Sequence, residues 1–236
     1  MKERLIVPSL LAADFANLAA EVRRIEQAGA DRLHLDIMDG MFVPNISFGP
    51  PIVDAIRPHT TLPFDIHLMV MRPVAFIAAF SKVGAERLIV HLEAEHPGGD
   101  PLRTFEAVRA SGCKVGLAIN PETALARVAP YAASIDFLLI MTVHPGFGGQ
   151  AFLPATVEKI ESAYVLREAH QSSYRIGVDG GINLQTAPSV LQAGADVLVC
   201  GTSLFRSPNP AESIRELRLL PGREGARAAI KPPGSS

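Results

Sequence analysis

Eight short apolar runs rich in β-branched residues punctuate the chain, at residues 5–11, 32–38, 64–70, 87–92, 114–119, 137–143, 175–179 and 197–201. Amphipathic stretches lie between them. Phe15, Leu18, Ala19, Val22 and Ile25 recur at helical spacing, with Asp14 placed to cap the start. Phe76, Ile77, Phe80 and Val83 repeat the pattern, and Val157, Ile160, Tyr164 and Leu166 do so more loosely. Gly29-Ala30, Gly84-Ala85 and Gly194-Ala195 stand where a helix should stop and a strand begin. Eight strands alternating with helices predict an α/β fold, a single closed parallel (β/α)8 TIM barrel, over residues 1–220. An open doubly wound sheet usually has fewer strands and often a Gly-x-Gly-x-x-Gly loop after the first. Here that position reads Leu11-Ala12-Ala13-Asp14. Residues 221–236 break the alternation with Pro221, Gly222, Gly225, Pro232, Pro233 and Gly234, and are expected to form a flexible solvated tail.

In a parallel barrel, chemistry gathers where the strands end. The second run ends His34-Leu35-Asp36-Ile37-Met38, the third Asp65-Ile66-His67-Leu68-Met69, and the seventh Val178-Asp179-Gly180-Gly181. Side chains alternate along a strand, so His34, Asp36 and Met38 share one face, as do His67 and Met69. With those faces inward, His34, Asp36, His67 and Asp179 meet at one mouth. Two imidazoles and two carboxylates suit one divalent first-row cation, Zn²⁺, Fe²⁺, Mn²⁺ or Co²⁺. Leaving such carboxylates buried without a partner is too costly. Glycine clusters follow three adjacent strands: Pro145-Gly146-Phe147-Gly148-Gly149-Gln150, Gly180-Gly181 and Gly201-Thr202-Ser203. Backbone N–H groups freed by glycine can converge on a phosphate there. These clusters contain no lysine or arginine, so backbone dipoles and hydroxyls would hold the anion.

Composition narrows the remaining classes. Lys plus Arg number 22 against 24 Asp plus Glu, a net charge of −2, which argues against a nucleic-acid surface. No stretch of about 18 consecutive apolar residues is present, so no membrane span is expected. Met1-Lys2-Glu3-Arg4 leads into a short run ended by Pro8, without the apolar core of a secretory signal. Cys113 and Cys200 lack metal-type spacing and fit a reducing cytoplasm. His91 reads as a core or rim histidine without a role. His59, His96 and His170 read as solvated.

The segment from His34 to Pro50, His34-Leu35-Asp36-Ile37-Met38-Asp39-Gly40-Met41-Phe42-Val43-Pro44-Asn45-Ile46-Ser47-Phe48-Gly49-Pro50, resembles the signature of the ribulose-phosphate 3-epimerase family. Pro8-Ser9-Leu10-Leu11-Ala12-Ala13-Asp14, Asp65 to Val70, Pro145 to Gln150 and Val178 to Ile182 match it too, in family order. The resemblance implies a barrel of the ribulose-phosphate-binding type acting on a phosphorylated ketopentose. It implies that His34, Asp36, His67 and Asp179 bind the metal, and that Asp36 and Asp179 form the acid/base pair. Ser9 and His67 would contact substrate, and Met38, Met69 and Met141 would line the space around the reacting carbon. Gly146, Phe147, Gly148, Gly149, Gly180, Gly181, Gly201 and Thr202 would form the phosphate site. Two positions depart from the usual pattern: His144 before Pro145, and Thr202-Ser203 in place of Ser-Ala. The rival readings are an allulose-6-phosphate epimerase, a decarboxylase or aldolase, and a non-catalytic sugar-phosphate sensor. The decarboxylase and aldolase barrels tend to place a lysine among the strand-end carboxylates, and none is here. A sensor would be expected to have lost a ligand or an acid/base residue, and all four are present. Copies of such a barrel are expected to associate through outer helices. The reaction serves both the pentose phosphate pathway and carbon fixation, between which the sequence does not choose.

Overall fold

The structure, a computed structural model, describes residues 3–223. Its strands are Leu5–Pro8 (β1), Leu33–Met38 (β2), Phe64–Met69 (β3), Ala85–His91 (β4), Lys114–Ile119 (β5), Phe137–Met141 (β6), Arg175–Asp179 (β7) and Val197–Cys200 (β8). They form one parallel sheet in the order β1-β8-β7-β6-β5-β4-β3-β2. The two ends meet through a bridge between Ser9 and His34. Asp31 adds two contacts, donating its N–H to the Ile6 carbonyl at 3.0 Å and accepting the Ile6 N–H at 2.6 Å. The sheet thereby curls into a nearly closed barrel, the TIM-type fold expected. The first apolar run stops early as a strand because Leu10–Ala12 winds into a 3-10 turn capped by Ser9.

Helices Leu18–Gln27 (α1), Pro50–Ile56 (α2), Ile77–Lys82 (α3), Pro101–Ala110 (α4), Thr156–Ala169 (α5), Ala187–Ala193 (α6), Thr202–Phe205 (α7) and Pro210–Leu219 (α8) surround the strands. Two expectations need correction. No α-helix follows β5; two 3-10 turns, Leu125–Arg127 and Ala129–Tyr131, stand there instead. Pro130 lacks the N–H that a continuous helix needs and crowds the preceding turn. Asp14 caps a 3-10 turn rather than α1, and Phe15 lies outside the buried face, with its ring edge-on to Phe48 at 5.5 Å.

The strands carry apolar runs because both of their faces are covered. Phe64, Ile66 and Leu68 of β3 pack in the outer core with Val22, Ile25, Val53 and Phe80 of the helices. The interleaved Asp65, His67 and Met69 face inward. A second cluster of Val7, Ile89, Ala118, Phe137, Leu139, Met141, Val197 and Val199 fills the lumen. Gly177 makes that filling possible, because a Cβ there would stand 2.2 Å from the Phe137 ring. At the base of the lumen Asp65 is held between two buried guanidinium groups. Arg32 Nε and Nη2 donate to it at 3.0 and 2.7 Å, and Arg87 Nη1 at 2.9 Å. Arg87 also stacks 4.2 Å over the Phe137 ring.

Beyond α8 the chain continues to Arg223, whose N–H donates to the Leu191 carbonyl at 3.1 Å and whose guanidinium stacks on Tyr164 at 4.5 Å. The tail expected over 221–236 lies, from residue 224 onward, outside the described residues. No helix among the described residues is long and apolar enough to cross a membrane.

Candidate active site

Strands β2, β3 and β7 deliver the four expected polar side chains to one point. The ligand-capable atoms of His34, Asp36, His67 and Asp179 all lie within 4.8 Å of one another. His34 Nε2 stands 3.2 Å from Asp36 Oδ1, 3.6 Å from Asp179 Oδ2 and 3.1 Å from His67 Nδ1. His67 Nδ1 stands 3.0 Å from Asp36 Oδ1 and 3.8 Å from Asp179 Oδ2. Metal–ligand bonds of about 2.0–2.2 Å put neighbouring donor atoms roughly 2.8–3.6 Å apart in octahedral or tetrahedral shells. The donor set and its spacing therefore fit one divalent first-row cation.

Without a cation the four groups set one another's charge: against its burial, the His34 imidazole is raised to about 9, chiefly by Asp36. Burial raises the Asp36 carboxyl, but the His34 and His67 imidazoles outweigh it and hold Asp36 well below the usual carboxylate range. Burial and the Asp36 charge together push Asp179 upward, against the pull of His34. Two carboxylates crowded into one apolar lumen cannot both ionise freely unless positive charge sits between them.

Above this cluster opens a pocket of about 420 Å³. Ser9, Asp36 and Asp179 reach its floor, and Met38, Met69 and Met141 line it. Ser9 Oγ donates to Asp36 Oδ2 at 2.6 Å, which fixes that carboxylate. Ser47 secures the end of β2, its hydroxyl donating to the Asp36 carbonyl at 2.5 Å and accepting the Met38 N–H at 3.0 Å. Gly146, Phe147, Gly148, Gly149, Gly180, Gly181, Gly201 and Thr202 form the opposite wall, and no lysine or arginine lines it among the described residues. The pair Gly180-Gly181 is required by the backbone path. Both take positive φ, +122° and +67°, and a Cβ on Gly181 would meet the Phe152 nitrogen at 2.6 Å. Asn45 Nδ2 donates to the Gly146 carbonyl at 2.7 Å, tying the loop after β2 to the glycine loop after β6.

His34 and His67 lie beneath the pocket rather than along it. His67 is fully buried with Nδ1 turned to Asp36. The expectation that His96 is solvated is corrected. It is half-buried, with Nδ1 2.9 Å from Thr104 Oγ1 and Nε2 2.9 Å from the His91 carbonyl. His144 sits at the rim, 3.1 Å from Glu122. Several residues escaped sequence reasoning. Ser203 and Asn183 line the pocket beside the glycine-rich wall, and Ser203 Oγ donates to the Ile182 carbonyl at 2.7 Å. Ser203 had a legible signal in the Gly201-Thr202-Ser203 triplet. His91, left without a role, is fully buried against His67 with Nε2 2.9 Å from His67 Nε2.

Comparison with known proteins agrees with this geometry. A family profile described as the ribulose-phosphate 3-epimerase family matches residues 5–205. The chain is 43% identical over 215 residues to the ribulose-phosphate 3-epimerase of Bacillus subtilis (strain 168), covering 90% of this chain and 97% of that one. It is 42% identical over 218 residues to the Synechocystis enzyme of the same name, covering 92% and 94%. Among solved structures, the tryptophan synthase complex of Pyrococcus furiosus superposes with a TM-score of 0.65 at 16% identity, covering 92% of this chain and 99% of that one. At that identity the likeness speaks for the barrel alone.

Proposed function

The chain belongs to the ribulose-phosphate 3-epimerase family, and from that premise we propose that this isomerase interconverts D-ribulose 5-phosphate and D-xylulose 5-phosphate. One observation carries the reading. Asp36 and Asp179 arrive from two different strands at the floor of a methionine-lined pocket whose far wall is glycine-rich and cation-free.

Epimerisation at C3 removes a carbon-bound proton beside the C2 carbonyl and returns one on the opposite face. Asp36 and Asp179 alternate as base and acid across the enediolate, with the direction of reaction deciding which acts first. Ser9 orients Asp36 through its hydroxyl. Backbone N–H groups of the glycine segments and the Thr202 hydroxyl hold the phosphate, fixing C3 over the carboxylates. Met38, Met69 and Met141 exclude water and supply an adaptable, polarisable surface.

Acid–base help contributes about 10²–10⁴-fold, or roughly 3–5 kcal/mol. Enzymatic accelerations begin near about 10⁶-fold, roughly 8 kcal/mol, so a second source of stabilisation is needed. His34, Asp36, His67 and Asp179 would hold one Zn²⁺, Fe²⁺, Mn²⁺ or Co²⁺, which when bound supplies Lewis-acid stabilisation of developing oxyanion charge.

The test is a coupled assay of xylulose 5-phosphate formation in D₂O. Solvent deuterium is expected at C3 of the product. Exhaustive chelation is expected to lower turnover by about 10²–10³-fold, the size of a few kcal/mol of charge stabilisation, with recovery on returning one of the four cations. Product formed without C3 deuterium would overturn the proton-transfer scheme. Undiminished turnover after chelation would overturn the metal assignment.

The reading includes a cytoplasmic setting, in keeping with two buried free cysteines. It also includes a homo-oligomer, supported by the exposed apolar side chains Val165 and Leu219 on the outer helices. A monomeric mass by light scattering at assay concentration would overturn the latter.

A further inference from the structure

Behind His67 a chain of buried polar groups leads away from the pocket. His67 Nε2 stands 2.9 Å from His91 Nε2, and His91 Nδ1 stands 3.2 Å from Glu93 Oε2. Glu93 Oε1 in turn accepts the Asn120 N–H at 2.8 Å and the Thr123 hydroxyl. His67 and His91 are both fully buried, with ring planes 20° apart. Phe42 packs on His91 with centroids 4.7 Å apart, and His96 Nε2 braces the His91 carbonyl at 2.9 Å.

We propose that His91 and Glu93 are positioning residues that lock His67 in the tautomer and orientation needed to present Nδ1 to a divalent cation. The inference rests on the cation site proposed above. Its logic is one of donors and acceptors, read inward from Glu93. An ionised carboxylate only accepts, so His91 Nδ1 must carry the proton of that contact. A neutral His91 then offers a lone pair at Nε2, and His67 Nε2 must donate to it. A neutral His67 is left with its lone pair on Nδ1, the atom that faces Asp36, Asp179 and His34. The reverse direction would set a lone pair of His91 Nδ1 against the Glu93 carboxylate at 3.2 Å with nothing between them, whereas the lone pair that the chosen direction leaves on His67 Nδ1, 3.0 Å from Asp36 Oδ1, is relieved once a cation lies between the two.

The other imidazole of the cluster has no such support. His34 Nδ1 is buried without a hydrogen-bond partner among the described residues. The orientation of the donor set thus depends on the side of the cluster where the chain runs. A ligating histidine whose far nitrogen is tied to a carboxylate is fixed in direction and made more basic, and losing that support typically costs about 10–100-fold in metal affinity.

The experiment measures Zn²⁺ affinity of the purified, demetallated full chain by competition with a chromophoric chelator. His91→Phe keeps a ring against Phe42 and removes both hydrogen bonds. Glu93→Gln keeps the shape and removes the charge. His91→Phe is expected to bind about 10–100-fold more weakly than wild type, and Glu93→Gln to fall between the two. Because the groups act in series, the double variant should bind no more than about threefold worse than His91→Phe alone. The Zn²⁺-loaded wild-type protein gives a readout that needs no variant. Nitrogen-15 imidazole correlations should place the His91 proton on Nδ1 and the His67 proton on Nε2. A His91 proton on Nε2, or a folded His91→Phe protein within twofold of wild-type affinity, would overturn the positioning role alone. Wild-type protein that takes up no cation would overturn the metal assignment and this inference with it.

Discussion

Asp179→Asn is expected to lower turnover by about 10⁴-fold or more in both directions, because the change removes two contributions at once. The amide cannot take or return the C3 proton, a loss of about 10²–10⁴-fold. It is also a weaker ligand than a carboxylate, so part of the cation-dependent stabilisation goes with it. Stability is expected to move the other way. Burial and the nearby Asp36 charge disfavour the ionised Asp179, whose side chain is 15% exposed at the pocket floor. A neutral isostere relieves that repulsion. The thermal midpoint of the cation-free protein should therefore hold or rise while activity collapses, as expected for a residue kept for chemistry at a cost in stability. The measurements are initial rates from each pentulose phosphate, metal content by elemental analysis, and a melting curve. A metal-loaded Asp179→Asn enzyme within tenfold of wild type would end the two-carboxylate scheme. A midpoint lowered by several degrees would instead assign Asp179 a structural role.

Strands were legible because a parallel strand between helices and lumen is covered on both faces, so its apolar run stands out from the surrounding sequence. The four site residues were legible for the converse reason. His34, Asp36, His67 and Asp179 interrupt those runs at alternate positions, where a buried charge needs a partner. His91 also interrupts a strand, but a single histidine in an apolar run carries no direction. Its partners, His67 and Glu93, are set by the register of β3 against β4 and by a loop two residues past the strand. Such hydrogen bonds depend on where a lumen brings side chains together, and no periodicity encodes that. Helical spacing misled at Phe15, where a 3-10 turn precedes α1. The alternation of strands with helices misled after β5, where Pro130 outweighs it. The base of the barrel was not singled out either, because Arg32 and Arg87, at the starts of the second and fourth runs, look like ordinary strand-start charges.

That base is where the largest loss of stability is expected. Asp65→Ala leaves the Arg32 and Arg87 guanidinium groups buried beside one another without the carboxylate that both bind. Arg87 is already under-satisfied, since its Nε is buried with no hydrogen-bond partner among the described residues. Glu86 relieves Arg32 only in part, at 3.3 Å, and is shared with Lys114 at 2.7 Å. Removing one partner from a buried ion pair costs about 3–5 kcal/mol, because the remaining charge keeps its desolvation penalty. At about 2–4 °C per kcal/mol for a chain of this size, the midpoint should fall by roughly 6–20 °C. The exposed pair Arg72–Glu95, at 2.9 Å, supplies the contrast. Glu95→Ala should cost less than about 1 kcal/mol, since solvent screens that attraction and the freed arginine returns to water. Urea titrations of the two variants decide the matter. Equal midpoints would mean that water reaches the barrel base and that the triad contributes no more than a surface pair. A large drop confined to Asp65→Ala would place the charge that holds the lumen shut at the end of the barrel opposite the chemistry.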